Sequence, residues 1–204
     1  MPPLTALLDG LPSLPRHAAL SLDFETRQQA GVSVILRAAD PVDILFIKRA
    51  DNPRDPWSGH MALPGGRRED HDDDLLATAI RETLEETRIQ LSSDDFVGRL
   101  PRVAPRGPGI PTIVVVPFLF TVPATTTPVA ALEEVERTRW VALHELRDQT
   151  RREPYPVRLP AGERTFPSIR MDGDIIWGMT FRIVEDLLLL LDGHEPAKLR
   201  DRDF

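Results

Sequence analysis

The stretch that decides the fold runs from Leu63 to Ile89 and reads LPGGRREDHDDDLLATAIRETLEETRI. A glycine pair ends a short apolar run, an acidic loop follows, and the apolar residues then recur at helical spacing. That spacing predicts a helix over residues 75–87. On a helical wheel its core-facing side is formed by small and apolar residues: Leu76, Ala79, Ile80, Thr83 and Thr87.

Three glutamates of this helix are the first candidates for chemistry. Glu82, Glu85 and Glu86 lie three and four residues apart, and the wheel places them together on a different face. Like charges at this spacing destabilise a helix by a few tenths of a kcal/mol per pair, and a bound cation would offset that cost. Oxygen ligands without sulfur suit Mg²⁺ or Mn²⁺. The alternative is a solvated acidic helix face.

Outward from the helix, β-branched runs alternate with turn residues. Strands are expected at residues 31–37 and 42–48, joined as a hairpin, at 97–100, at 112–122 and around 140–143. A long loop is expected over residues 148–169, followed by a C-terminal helix over 176–191 in which Trp177 is a core residue. Mixed strands with two main helices indicate a single α/β domain.

The two ends of the chain differ in composition from the middle. Residues 1–26 are expected to form a lead-in segment with a short helix at 18–23. Residues 27–195 are expected to form the domain, and residues 196–204 a polar tail.

The composition excludes several classes of function. The 204 residues include no cysteine, which excludes a disulfide scaffold, a thiolate zinc site and a cysteine nucleophile. The net charge of −7 offers no global basic field for nucleic acid. The longest apolar run is too short to cross a bilayer, and the N-terminus lacks the basic region of a signal peptide. We therefore expect a cytoplasmic protein that binds neither nucleic acid nor membrane.

The central stretch resembles the Nudix box. Residues 81–89, RETLEETRI, match the second half of the box at the right spacing, and Leu63-Pro-Gly-Gly66 matches the strand end and loop before it. The resemblance implies a Nudix-type α/β/α sandwich with a mixed β-sheet. It also implies hydrolysis of a diphosphate linked to a nucleoside, with Mg²⁺ or Mn²⁺ as cofactor.

The resemblance also implies roles for individual residues. Glu82 and Glu86 are the first-choice metal ligands and Glu85 is the third, while a backbone carbonyl near the glycine pair, at Gly65, adds a ligand. Arg81 would orient these carboxylates by pairing with one of them or with Asp73 of the preceding loop. The sequence does not identify the general base.

Three positions depart from the commonest box. The gap between Gly66 and the box arginine is one residue longer than usual. Asp73 stands where a glutamate is common, with Asp72 an equal candidate because of the insertion. Arg88 occupies the position of the box glycine, which usually permits a left-handed helix end.

The longer loop resembles the coenzyme A diphosphatase branch of the family. Asp72, residues 78–82, Arg49, Gly59 and the 176–180 segment IWGMT all fit that branch. Trp57 stands where the branch has a histidine, and His60 where it has a glutamine. Coenzyme A is therefore the favoured substrate, and ADP-ribose, NADH or another nucleoside diphosphate is the alternative.

Four residues are candidates for holding the substrate. Arg49, Arg67 and Arg68 offer planar donors for phosphate oxygens, and Trp57 offers a ring for an adenine base. For Arg67 and Arg68 the alternative is a mixed-charge surface loop. A non-catalytic Nudix-fold binding module is the rival to an enzyme, and Arg88 is the sequence feature that favours it. A homodimer is a further possibility.

Overall fold

The computed structural model describes residues 2–15, 28–51, 58–104, 113–159 and 162–195. These residues form four α-helices and ten β-strands. The helices are α1 (Leu4–Asp9), α2 (Leu75–Thr87), α3 (Leu143–Arg147) and α4 (Gly178–Leu191). The strands are β1 (Gln28–Ala38), β2 (Asp43–Arg49), β3 (Met61–Ala62), β4 (Gly65–Arg67), β5 (Phe96–Arg99), β6 (Ile113–Pro123), β7 (Val135–Ala142), β8 (Arg152–Leu159), β9 (Gly162–Met171) and β10 (Asp174–Trp177).

The main sheet is mixed, as the sequence predicts. Strands β1 and β6 run parallel along their whole length, whereas the other pairs in this sheet are antiparallel. The path through the sheet is β3-β2-β1-β6-β5, with β4 paired to β1 and β7 paired to β2.

Strands β1 and β2 separate soon after the turn that joins them. They pair at Leu36 with Ile44 and at Arg37 with Asp43. Beyond that point β2 pairs with β3, while the first half of β1 pairs with β4. The connection from Met61 to Arg67 therefore fills the gap between the two strands, and Pro64 fixes it there by accepting a hydrogen bond from the Ser33 N–H at 2.8 Å.

The core lies on both faces of this sheet because successive strand side chains point to opposite sides. On β1, Ile35 faces the cluster that includes Leu75 and Ala79 of α2, while Val34 and Leu36 face the cluster that includes α1 and α4. Helix α2 thus covers one face and α4 the other, which confirms the predicted α/β/α sandwich.

A second, three-stranded antiparallel sheet has the order β10-β9-β8. The prediction of a loop over residues 148–169 was therefore wrong. Pro154 and Pro167 suggested a loop, yet they face each other across the β8–β9 ladder, and β8 is an edge strand, where proline is tolerated.

The C-terminal helix begins two residues later than predicted. Strand β10 extends through Trp177, and α4 starts at Gly178. Trp177 therefore ends a strand rather than opening a helix, although it is buried as expected.

The remaining element predictions have mixed outcomes. Helix α2 and strands β1, β2, β5 and β6 lie where the sequence predicts them. The strand expected around residues 140–143 starts earlier, at Val135, and Leu143 already belongs to α3. The short helix expected at 18–23 lies outside the described residues, and the domain boundaries stay predictions.

Arg88 ends α2 in the left-handed conformation, with φ 58°. Its backbone N–H donates to the carbonyl of Leu84 at 3.0 Å, so the helix terminates as it would with glycine. A side chain in this region of φ is strained.

Replacing Arg88 by glycine is expected to raise the free energy of unfolding by up to about 1 kcal/mol, because the strain is relieved. Urea unfolding measures the change. The control is Gln90→Gly at an exposed position nearby, outside the set of positive-φ residues, where glycine should destabilise. A loss of stability in Arg88→Gly would show that the arginine side chain stabilises the helix end.

Candidate active site

Helix α2 is fixed at its start and along one side. The Asp74 carboxylate caps its N-terminus by accepting from the Ala77 N–H at 2.8 Å. The helix lies so close to β1 that a side chain at Gly31 would meet the Leu75 carbonyl at 2.2 Å. A buried chain of hydroxyls adds to this contact: Thr83 donates to Ser33 at 2.8 Å, and Ser33 donates to the carbonyl of Ala79 at 3.1 Å. These contacts hold the backbone of α2, which carries the glutamates, in a fixed position against β1.

Glu86 lies on the buried side of α2, whereas the helical wheel placed it on a different face from Thr83 and Thr87. Its side is shared with Thr83 and Thr87, and Glu86 is only 3% exposed. The backbone N–H of Gly65 donates to Glu86 Oε2 at 2.9 Å. Burial raises the pKa of Glu86 to about 8, opposed by the Gly65 hydrogen bond and reinforced by the negative charge of Glu82.

Glu82 lies beside Glu86 and against the glycine turn. A side chain at Gly66 would come within 2.3 Å of Glu82 Oε1 and would displace this carboxylate from its present position. Burial also raises the pKa of Glu82, while the positive charge of Arg81 opposes the rise. The site thus keeps two carboxylates, one helical turn apart, in surroundings that disfavour their charged forms.

Glu85 differs from these two residues. Its side chain is 55% exposed and accepts from Arg81 Nη1 at 3.0 Å. Its position at the rim makes it a weaker candidate ligand than Glu82 or Glu86.

Arg81 joins the glutamates to the acidic loop. It donates to Glu82 Oε1 at 3.0 Å, and its Nε and Nη2 atoms form a two-pronged contact with the Asp72 carboxylate at 2.9 and 3.0 Å. Asp72 also accepts from the Glu69 N–H and from Thr78 Oγ1, both at 2.9 Å. The Arg81 hydrogen bonds hold the pKa of Asp72 well below its usual range. The expected pairing of Arg81 with Asp73 is therefore corrected: its loop partner is Asp72, while its pairing with Glu82 is as expected.

The candidate substrate residues have different surroundings in the structure. Arg49 is close enough to Glu86 for its positive charge to lower the pKa of that carboxyl. Arg67 is exposed, and its carbonyl accepts from Arg81 Nη2 at 3.2 Å. Arg68 donates to the carbonyls of Asp72 and Asp73 at 3.0 and 3.1 Å, so in this structure it braces the loop. Trp57 lies outside the described residues.

Glu134 is an acidic neighbour that the sequence reasoning missed. The loop before β7 hydrogen-bonds to the end of α2, with the Ala131 N–H donating to the Glu86 carbonyl at 3.0 Å. The Glu134 charge contributes to the raised pKa values of both Glu82 and Glu86. No local motif marks Glu134, because only the tertiary fold brings this loop to α2.

The donor set suits a hard divalent cation. Over the part of the chain that the structure describes, no group of three or more acidic or histidine side chains converges into a complete metal cage. Mg²⁺, however, usually keeps several waters and takes only one or two carboxylates. Glu82 and Glu86, whose charged forms are disfavoured by burial, fit that smaller set, and the Gly65 carbonyl stays a predicted ligand.

Comparison with known proteins identifies this architecture. Residues 27–159 match the family described as the NUDIX domain. The chain is 31% identical to the uncharacterised Nudix hydrolase NudL of Cronobacter sakazakii, over 83% of this chain and 85% of that protein. An uncharacterised protein of Schizosaccharomyces pombe is 39% identical over 50% of this chain. The matched segment covers 32% of that protein.

Solved structures agree on the fold. A MutT/nudix family protein from Enterococcus faecalis superposes with a TM-score of 0.56 at 18% identity, covering 95% of this chain and 72% of that one. The chain belongs to the Nudix family, which confirms the predicted class of enzyme, a Nudix hydrolase. Among the described helices, none is both long and apolar enough to span a membrane.

The raised pKa of Glu86 predicts a pH-dependent stability of the metal-free protein. The folded pKa of about 8 lies above the ordinary 4.5, so the folded state holds this proton more tightly than the unfolded chain. The resulting stabilisation is present below about pH 4.5 and is lost as the pH rises through 8. Urea unfolding in a chelator should therefore give a falling free energy of unfolding between these values.

Glu86→Gln is the control for this titration, because the amide cannot ionise. Its stability should depend less on pH over the same range. Equal slopes for the wild-type protein and the variant would show that Glu86 is not the titrating group.

Proposed function

We propose that this chain hydrolyses the diphosphate bond of a nucleoside diphosphate derivative, with Mg²⁺ or Mn²⁺ as cofactor. The observation that carries the proposal is the pair Glu82 and Glu86, held one turn apart with both pKa values raised by burial. A bound cation offsets that electrostatic cost, and an anhydride of two phosphates is the substrate whose charge a cation must neutralise.

Each residue of the site has a proposed role. Glu82 and Glu86 hold the cation with the Gly65 carbonyl, and Glu85 assists from the rim. The cation would withdraw charge from the diphosphate and lower the pKa of attacking water. Arg81, fixed by Asp72, keeps Glu82 in place. Glu134 supplies a carboxylate from outside α2 and is our candidate for accepting the proton of the attacking water.

Arginines are the proposed contacts of the substrate phosphates. Arg49 and Arg67 remain candidates, since a guanidinium fork matches phosphate oxygens. We assign Arg68 a lesser part, because its guanidinium already holds the carbonyls of Asp72 and Asp73. Trp57 stays a predicted base contact.

Coenzyme A is the substrate that we favour. The one-residue-longer loop supports it, because the loop places Asp72 against Arg81 and Thr78 and so has a definite structural role. The IWGMT segment and Arg49 support it as sequence resemblances. ADP-ribose and NADH remain the alternatives within the same chemistry. The cytoplasmic location and the homodimer stay predictions.

A non-catalytic binding module is the second candidate, and Arg88 was its sequence support. That support is reduced, since Arg88 adopts the same left-handed helix end that a glycine would give. The side chain of Arg88 is exposed and lies off the buried face that holds Glu86.

The decisive assay compares coenzyme A, ADP-ribose, NADH and a dinucleoside polyphosphate with Mg²⁺ and with Mn²⁺. We expect cleavage of at least one of them, with the highest kcat/KM for coenzyme A. Glu86→Gln should reduce kcat at least a hundredfold for each cleaved substrate. The protein should stay folded with level or higher metal-free stability, because the amide never carries the charge that burial penalises and its oxygen can still accept from the Gly65 N–H.

Glu133→Gln is the matched control, since it makes the same change at an exposed glutamate of the loop before β7. It should keep wild-type activity. Full activity in Glu86→Gln would contradict the assignment of the site, and so would a loss of activity that comes only from unfolding. Cleavage of other substrates but not of coenzyme A would contradict the proposed coenzyme A diphosphatase activity. It would still support the broader proposal of a diphosphate hydrolase.

A further inference from the structure

Three aromatic rings share one face of the second sheet. Tyr155 and Phe166 are direct cross-strand partners on β8 and β9, and Trp177 on β10 is the next-strand partner of Ser168. The Trp177 ring lies 5.6 Å from Tyr155 and 5.5 Å from Phe166, measured between ring centroids. These three residues, here called the aromatic face, form one cluster in which the Tyr155 and Phe166 rings are each tilted by 50° to Trp177.

The aromatic face is joined to the carboxylate site through His60. The His60 ring meets Trp177 edge to face at 5.1 Å. The carbonyl of His60 accepts from the Arg49 N–H at 3.1 Å, and the charge of Arg49 acts on Glu86. These contacts connect the aromatic face, through His60 and Arg49, to the side of the fold that holds Glu86.

The three residues of the aromatic face differ in how deeply they are buried. Trp177 is 7% exposed, whereas Tyr155 and Phe166 are only partly buried. Tyr155 and Phe166 therefore keep ring surface that a ligand can contact. Partly exposed rings backed by a buried ring present a rigid surface on which a planar ligand can stack.

The charges at the two ends of this face suit an anionic ligand. Arg49 lies at the end near Glu86. Arg164, the neighbour of Phe166 on the same side of β9 and the partner of Val157, is exposed towards the hairpin tip. A nucleotide carries its phosphates on the ribose, to one side of the base, and Arg49 between the aromatic face and Glu86 offers a guanidinium for those phosphate oxygens.

We propose that the aromatic face binds the purine ring of the substrate. The proposal rests on the proposed function, since it names the part of the nucleoside diphosphate that lies outside the metal site. Stacking on aromatic side chains is worth about 1–3 kcal/mol per base, or roughly five- to 150-fold in affinity. The face therefore sets the affinity for purine nucleotides, while Glu82 and Glu86 set the rate of cleavage.

The test is the binding of AMP and of ribose 5-phosphate, which carries the same phosphate without the base, measured by calorimetry in Mg²⁺. Phe166→Leu keeps an apolar side chain but removes the π-surface, so it should raise the Kd of AMP about tenfold and leave that of ribose 5-phosphate unchanged. Phe166→Tyr should retain AMP binding. Tyr155→Leu is the second variant and should act like Phe166→Leu.

Thr165→Ala is the control, because Thr165 is exposed and points to the opposite side of β9. It should leave both affinities unchanged. Equal AMP affinity in wild type and both leucine variants would overturn the proposal, as would no AMP binding by the wild-type protein or a parallel loss of ribose 5-phosphate binding. Since AMP binding needs no turnover, this outcome is separable from that of Glu86→Gln in the cleavage assay.

Discussion

The burial of the Glu86 carboxylate against the glycine turn is the constraint on which the site depends. A charged group that is 3% exposed needs compensation, and the described contacts supply one backbone N–H, that of Gly65. Glu82 adds a second partly buried carboxylate beside it, which makes the charged state still less favourable. Ionising Glu82 and Glu86 in the folded protein is therefore energetically unfavourable unless a cation is bound beside them. This cost is the physical basis of the proposed metal dependence.

A second set of contacts keeps these carboxylates in position. Arg81 bridges Glu82 to Asp72, and Asp72 is itself held by the Glu69 N–H and the Thr78 hydroxyl. The acidic loop is therefore part of the support of the helix rather than a separate cation site. The separation of β1 from β2 completes the arrangement, because it admits the Met61–Arg67 connection that brings the glycine pair to α2.

The sequence predicted what local patterns determine. Helix α2 and the mixed strands follow from local periodicity, and the resemblance to the Nudix box implied the pairing of Arg81 with a helix glutamate, although its loop partner is Asp72 rather than Asp73. The placement of Glu86 on a different face from Thr83 and Thr87 was wrong, because the wheel cannot show that the Gly65 turn covers this position. The β8–β9 hairpin was missed because its prolines suggested a loop. Glu134 and the aromatic face could not be predicted, since they depend on contacts between segments far apart in the chain.

The most direct test of this account is the effect of Mg²⁺ on the thermal stability of the wild-type protein and of Glu82→Gln/Glu86→Gln. A cation that binds only the folded state adds about 2.7 kcal/mol of stability at a concentration one hundred times its Kd. The account predicts a clear rise in Tm for the wild-type protein and little or none for the double variant. An equal rise in both proteins would contradict it and place the cation elsewhere, with the Asp70–Asp74 loop as the next candidate.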